Sequence, residues 1–195
     1  MSRNGEVDLD IAGETHRFRL SIGDLEALQE ATDIGATEHL HRLFVGRDYT
    51  FRHVREIIRA GLIGGGMPVP QAYAILRTLD DMPAVEAVAL ATLVMAAGLE
   101  APDDERLPSG KGGEQTLPMP NGKVAFATFY AAAAAMKLPT ADMRAMSLWQ
   151  FAAYVAGNNK ANDPKSVDPL TSQEEDALWD WMNQTPPGGE GSAQA

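Results

Sequence analysis

Residues 6–20 read EVDLDIAGETHRFRL, the stretch that most limits what the chain can become. Val7, Leu9 and Ile11 alternate with Glu6, Asp8 and Asp10, and beyond AGET Phe18 and Leu20 alternate with Arg17 and Arg19. A period of two is the mark of strands that bury one face. The spacing predicts a β-hairpin over about residues 6–21, with a Gly13-Glu14 turn of the glycine-first type. A lone hairpin is marginal in water. Its apolar face therefore has to pack on helices or pair in an oligomer.

The rest of the patterned sequence is helical. Ser21 followed by Asp24 resembles a helix cap, and Leu25 and Leu28 open an apolar stripe behind it. TEHLHRLF supplies Leu40, Leu43 and Phe44. YTFRHVREIIRAGL supplies Phe51, Val54, Ile58 and Leu62, with Arg52, Arg55 and Arg59 turned outward. GGGMPVP interrupts the pattern, after which Ala72, Ile75, Leu76 and Leu79 form another stripe. From Pro83 to Ala97 the sequence is apolar nearly all round, which predicts a helix buried on several sides at the centre of the first domain.

Residues 99–122, LEAPDDERLPSGKGGEQTLPMPNG, lose all periodicity and read as a flexible linker. Beyond it Phe126, Phe129, Ala133 and Met136 share a helical face, Ser147 is placed to cap another helix, and Thr171 with Glu174 makes a capping box for a last one. The final TPPGGEGSAQA has the composition of a disordered tail. The fold class expected is α+β: an N-terminal hairpin packed on a mostly helical domain over 1–98, a linker over 99–122, a small all-α module over 123–184 and a tail over 185–195.

Charge narrows the function classes. Sixteen basic side chains against 27 acidic ones leave a formal charge of −11. A nucleic-acid grip needs clustered Lys and Arg, and an anionic membrane surface needs the same, so neither is expected as a partner. With no cysteine there is no disulfide or thiolate metal site, and a reducing cytoplasm is compatible. MSRNGEVDLDIAG has no apolar core of a secretory signal, and the nearly apolar run 87–98 is too short to span a bilayer. A soluble cytoplasmic protein is expected.

No catalytic constellation is visible. His39 and His41 lie about 200° apart on a helix, so they cannot chelate one ion as an i, i+4 pair. His16 shares the face of Phe18 and Leu20, where a partly buried structural imidazole is the plain reading, and His53 meets the others only through tertiary folding. GLIGGGMP lacks the Gly-Lys-Ser/Thr ending of a phosphate loop and follows a helix rather than a strand; SGKGG fails in the same way. Asp80–Asp81 and Asp103–Asp104 fall at a helix end and in the linker, where solvation is the default. The expectation is a non-enzyme with no metal and no cofactor.

The aromatic residues of the second module carry more information. Leu178, Trp181 and Met182 line one face of the last helix, while Trp179 lies about 160° from Trp181 beside Asp176 and Asp180. One face of one short helix cannot bury both rings. In the helix after Ser147, the core stripe is Leu148, Phe151, Ala152 and Val155, with Trp149 at its edge and Tyr154 facing away. Trp149, Phe151, Tyr154, Trp179 and Trp181 are therefore the candidate protein-binding residues, since aromatics with a free face are favoured contacts. Internal packing between three small helices stands beside that reading as its alternative.

GEVDLDIAGETHRFRLSIGDLEALQEATDIGATEHLHRLFVGRDYTFRHVREIIRAGLIGGG resembles the small tail protein of gene transfer agents and related long-tailed phages. The similarity lies in the acidic GEV opening, the LEALQE helix and the IIRAGL segment. MKLPTADMRAMSLWQFAAYVAGNNKAN resembles the C-terminal part of phage tail assembly chaperones, with a proline-led helix and a tryptophan-containing helix, although Asn158 stands where that pattern has a tryptophan. The resemblance implies a tail assembly chaperone. Such a protein keeps the tape measure protein soluble, recruits tail tube protein in the host bacterial cytoplasm, acts alone or as a homo-oligomer, and leaves the finished virion. A structural minor tail or head-tail completion protein retained in the particle is the rival.

Overall fold

Strands β1 (Glu6–Ile11) and β2 (Glu14–Arg19) pair antiparallel, with Val7 opposite Phe18 and Leu9 opposite His16 in a computed structural model of the chain. The structure describes residues 2–45, 48–100 and 119–162; Trp179, Trp181, the Thr171–Glu174 cap, most of the expected linker and the expected tail lie outside them. The hairpin turns one residue earlier than the sequence suggests. Ile11 and Glu14 close the ladder, so the turn residues are Ala12 and Gly13, with φ of 53° and 84°. Two left-handed residues make a turn of the I′ kind, whose twist matches the strands. Ala12 holds its conformation at a cost of roughly 1 kcal/mol. Burial fixes the register instead: Ile11 and Phe18 are both sealed in the core, and a one-residue slip would turn every apolar side chain outward.

Helix α1 (Ile22–Thr32) starts at Ser21, whose hydroxyl accepts the Asp24 N–H while the Asp24 carboxylate accepts the Ser21 N–H. This is the reciprocal box anticipated from the sequence. Helix α2 (Ala36–Val45) follows, then α3 (Phe51–Gly64), opened by a box in which His53 Nδ1 accepts the Thr50 N–H. Helix α4 (Val69–Thr78) runs into a 3-10 turn at Leu79–Asp81, and α5 (Ala84–Leu99) completes the first hundred residues. Phe18, Leu20, Leu25, Leu28, Val54, Ile57, Ile58, Leu62, Ala91, Val94 and Met95 form the shared core of the hairpin and these helices.

Beyond a 3-10 turn at Pro120–Gly122 lie α6 (Phe126–Ala135), α7 (Thr140–Ala145) and α8 (Leu148–Asn162). Ser147 and Gln150 exchange bonds as a third reciprocal cap, and Ser147 Oγ also donates to the Arg3 carbonyl. The chain divides into two units, Met1–Asn158 and Asn159–Ala195. Within the first, α6 to α8 dock on α1. Ile22 joins Ala133, Met143 and Phe151 in a second apolar cluster, and the Ile22 N–H donates to the Met146 carbonyl at 2.9 Å.

Three details of the helical pattern need correction, the first being Phe51, which is exposed at the start of α3 and lies outside that helix's buried stripe. Phe44 is not part of the α2 core stripe: it is 82% exposed, and His39 takes the buried position beside Leu43. Helix α5 is covered along Ala87, Ala91, Val94 and Met95 but is open along Val85, Ala89 and Leu93. A domain of this size has neighbours for only part of an all-apolar helix.

Candidate protein-binding site

Val85, Ala89 and Leu93 recur every fourth residue, so they stand in one row on α5 about 12 Å long. Val85 is 75% and Leu93 46% exposed, and the open face has a single charge, Glu86. The row is held rigid from beneath, because Ala87, Ala91, Val94 and Met95 anchor the opposite face against α2 and α3. Further apolar side chains are exposed at Phe44 and Val45 on α2, and at Val69 and Tyr73 on α4. Such a surface offers contact area and no chemistry. It suits an apolar helix face of another polypeptide.

The aromatic candidates separate. Phe151 is buried, its ring 5.3 Å from that of Phe129, and it belongs to the packing of α6 to α8. Trp149 is half-buried, and its Nε1–H is shut off from water without a hydrogen-bond acceptor. Tyr154 is exposed on α8. Trp179 and Trp181 fall outside the described residues. Sequence reasoning missed the α5 row and Phe44, yet a signal existed: a 16-residue helix with almost no polar side chain presents more apolar surface than one small domain can cover.

The histidines come together in a way that spacing could not reveal. His39 and His53 meet edge to face with ring centroids 5.5 Å apart. Thr32 gives its hydroxyl proton to the Leu28 carbonyl, so His39 Nε2, at 2.8 Å, carries the proton between them and donates to Thr32 Oγ1. Burial, then the neighbouring His53 and Arg42, push the His39 pKa down to about 4, so the ring is neutral near pH 7. Burial and the Arg42 and Arg52 charges lower His53 as well. A neutral, hydrogen-bonded imidazole is a core residue here. His16 remains partly exposed on the inner face of β2. Among the described residues no group of three or more His, Asp or Glu side chains is placed to hold a metal ion, and no helix is long and apolar enough to cross a membrane.

A polar seam ties α6 and α7 to α1. Tyr130 donates its hydroxyl proton to the Glu26 carboxylate at 2.8 Å, and Arg144 lies 3.3 Å from the same carboxylate. The bond to Glu26 raises the Tyr130 pKa.

No curated protein and no solved structure matches the chain. Residues 4–101, which hold the hairpin and α1 to α5, match the family model described as phage tail tube protein, GTA-gp10. That span is about half of the chain, and the chain belongs to this phage and gene-transfer-agent tail family.

Proposed function

We propose that the protein is a tail assembly chaperone. It binds the tape measure protein in the host cytoplasm, helps bring tail tube subunits to it, and is absent from the finished particle. The observation that carries this reading is the open apolar row Val85, Ala89 and Leu93 on a rigidly held helix. A long helical protein with exposed apolar stripes needs such surfaces to stay soluble before its tube forms around it. The excess of acidic side chains keeps a coated complex in solution. The reading asks for no bond to be made or broken, and for no cofactor.

In the same reading residues 123–184 form the tube-recruiting part, with Tyr154 on α8 as one contact residue and, separately, Trp179 and Trp181 as others. Self-association would let several copies coat one partner. The test is co-expression with the tape measure protein: a soluble complex is expected, and failure to bind or solubilise it overturns the proposal. A second reading, a structural tail protein retained in the particle, draws on the family description, which names a tube protein. Mass spectrometry of purified particles separates the two, because a chaperone is missing from them.

A further inference from the structure

The hairpin has two unlike edges. Ile11 and Glu14 close the ladder as a facing pair, so alternation points the backbone N–H and C=O of Leu9, Val7, His16 and Phe18 into the hairpin. Those of Thr15, Arg17 and Arg19 on β2, and of Glu6, Asp8 and Asp10 on β1, point away from it. The β2 edge is covered by the end of α3. A Cβ on Gly65 would stand 2.1 Å from the Arg17 carbonyl oxygen, and one on Gly64 2.3 Å from that of Arg19. On the β1 side, the last turn of α5 packs against Gly5 at the start of the strand, Asp8 and Asp10 are exposed, and among the described residues no strand pairs with β1 beyond β2.

The exposed side chains along that edge are of one sign. Arg17 Nε lies 3.1 Å from Asp8, Arg19 stands opposite Glu6 but donates to the carbonyls of Asn4 and Ala145, and Asp10 faces Thr15, so among the described residues only Asp8 of the three β1 carboxylates is held in an ion pair. A second copy is a poor occupant, because β1 against β1 sets carboxylate beside carboxylate. The second copy's β2 edge is closed by its own α3. We infer that the outer edge of β1 takes an extended segment of another polypeptide as a third strand, and that this segment has basic side chains at alternate positions. Backbone bonds would supply the ladder, and the lysine or arginine row would lie beside Glu6, Asp8 and Asp10. This inference stands apart from the tail-assembly reading, since it concerns the hairpin and not α5.

The probe is a capped octapeptide alternating lysine with valine, added to the full-length chain while amide exchange is followed residue by residue. Two controls accompany it: the same peptide with glutamate for lysine, and the lysine peptide with its alternate amides N-methylated. Slower exchange is expected at Glu6, Asp8 and Asp10, with Val7, Leu9 and Ile11 unchanged because their amides already bond within the hairpin. Asp8→Pro removes one outward donor without touching a hairpin bond and should weaken binding by about fivefold to tenfold. Should that variant misfold, joint Asp8→Lys and Asp10→Lys replacement keeps the backbone and should shift preference to the glutamate peptide. No protection at the three amides, equal binding of the glutamate peptide to the native chain, or equal binding of the N-methylated peptide overturns the inference.

Discussion

Gln29 holds both backbone groups of Val124: its Nε2 donates to the Val124 carbonyl at 3.0 Å, and the Val124 N–H donates to its Oε1 at 2.8 Å. One side-chain amide thus substitutes for a strand partner and fixes the chain that leads into α6 against α1. Gln29→Ala leaves both groups without that partner. A loss of about 1–3 kcal/mol is expected, read as a lower urea midpoint. Faster amide exchange should be confined to Val124 and the start of α6.

The neighbouring contact is steric. The Gly35 N–H donates to the Asn121 carbonyl, and a Cβ at Gly35 would stand 1.8 Å from the Gly122 carbonyl oxygen. Backbone cannot move aside as a flexible side chain would. Gly35→Ala should therefore push the Pro120–Gly122 turn off α2 and cost about 1–3 kcal/mol, the usual scale of overpacking. Thermal unfolding measures the loss. Limited proteolysis should show earlier cleavage near residue 122 than in the native protein.

Acid should weaken the fold through His39. The folded state holds its pKa at about 4, below the ordinary 6.5, because the ring is buried beside His53 and Arg42. The unfolded chain therefore binds the proton first as pH falls. Stability is complete above about pH 6.5 and is lost progressively down to about pH 4. His53, also lowered, acts in the same direction, and its protonation removes the acceptor for the Thr50 N–H. Between pH 7 and pH 5 a loss on the order of 1–2 kcal/mol is expected. Urea midpoints across that range test it. His39→Gln keeps a donor near Thr32 and should flatten the slope; an unchanged slope would show that His39 is not its source.

Much of this fold is legible in the sequence because its signals are local. Alternation placed the hairpin, and Ser21–Asp24 and Ser147 marked two helix starts that the structure contains as reciprocal caps. Where the signals depend on partners, the sequence is silent. The rotation of α2 is not legible, because Phe44 looks like a core residue and His39 does not; the buried bond to Thr32 reverses that preference. The docking of α6 to α8 on α1 is carried by Gln29, Glu26 and Ile22, whose partners lie about a hundred residues away in the chain. Of the aromatic candidates, Phe151 was visible from its helical spacing as part of a core stripe, and the structure places it there. The α5 row could be inferred only by asking how much apolar helix a small domain can cover.

That row gives the sharpest test of function. Val85 is mostly in water and Leu93 about half so, and Val85→Asp therefore removes little internal packing while Leu93→Asp removes part of one side chain's. Stability should change by less than about 0.5–1 kcal/mol for Val85→Asp and by about 1–2 kcal/mol for Leu93→Asp. An aspartate in the middle of an apolar contact has to be buried without a counter-ion, so binding to a helical tape measure partner should fall at least about tenfold. Co-purification and titration calorimetry with the same protein preparations read both quantities. Weakened binding with an intact melting curve places the contact on α5, whereas full binding by the double variant moves it elsewhere and removes the observation on which the chaperone reading rests.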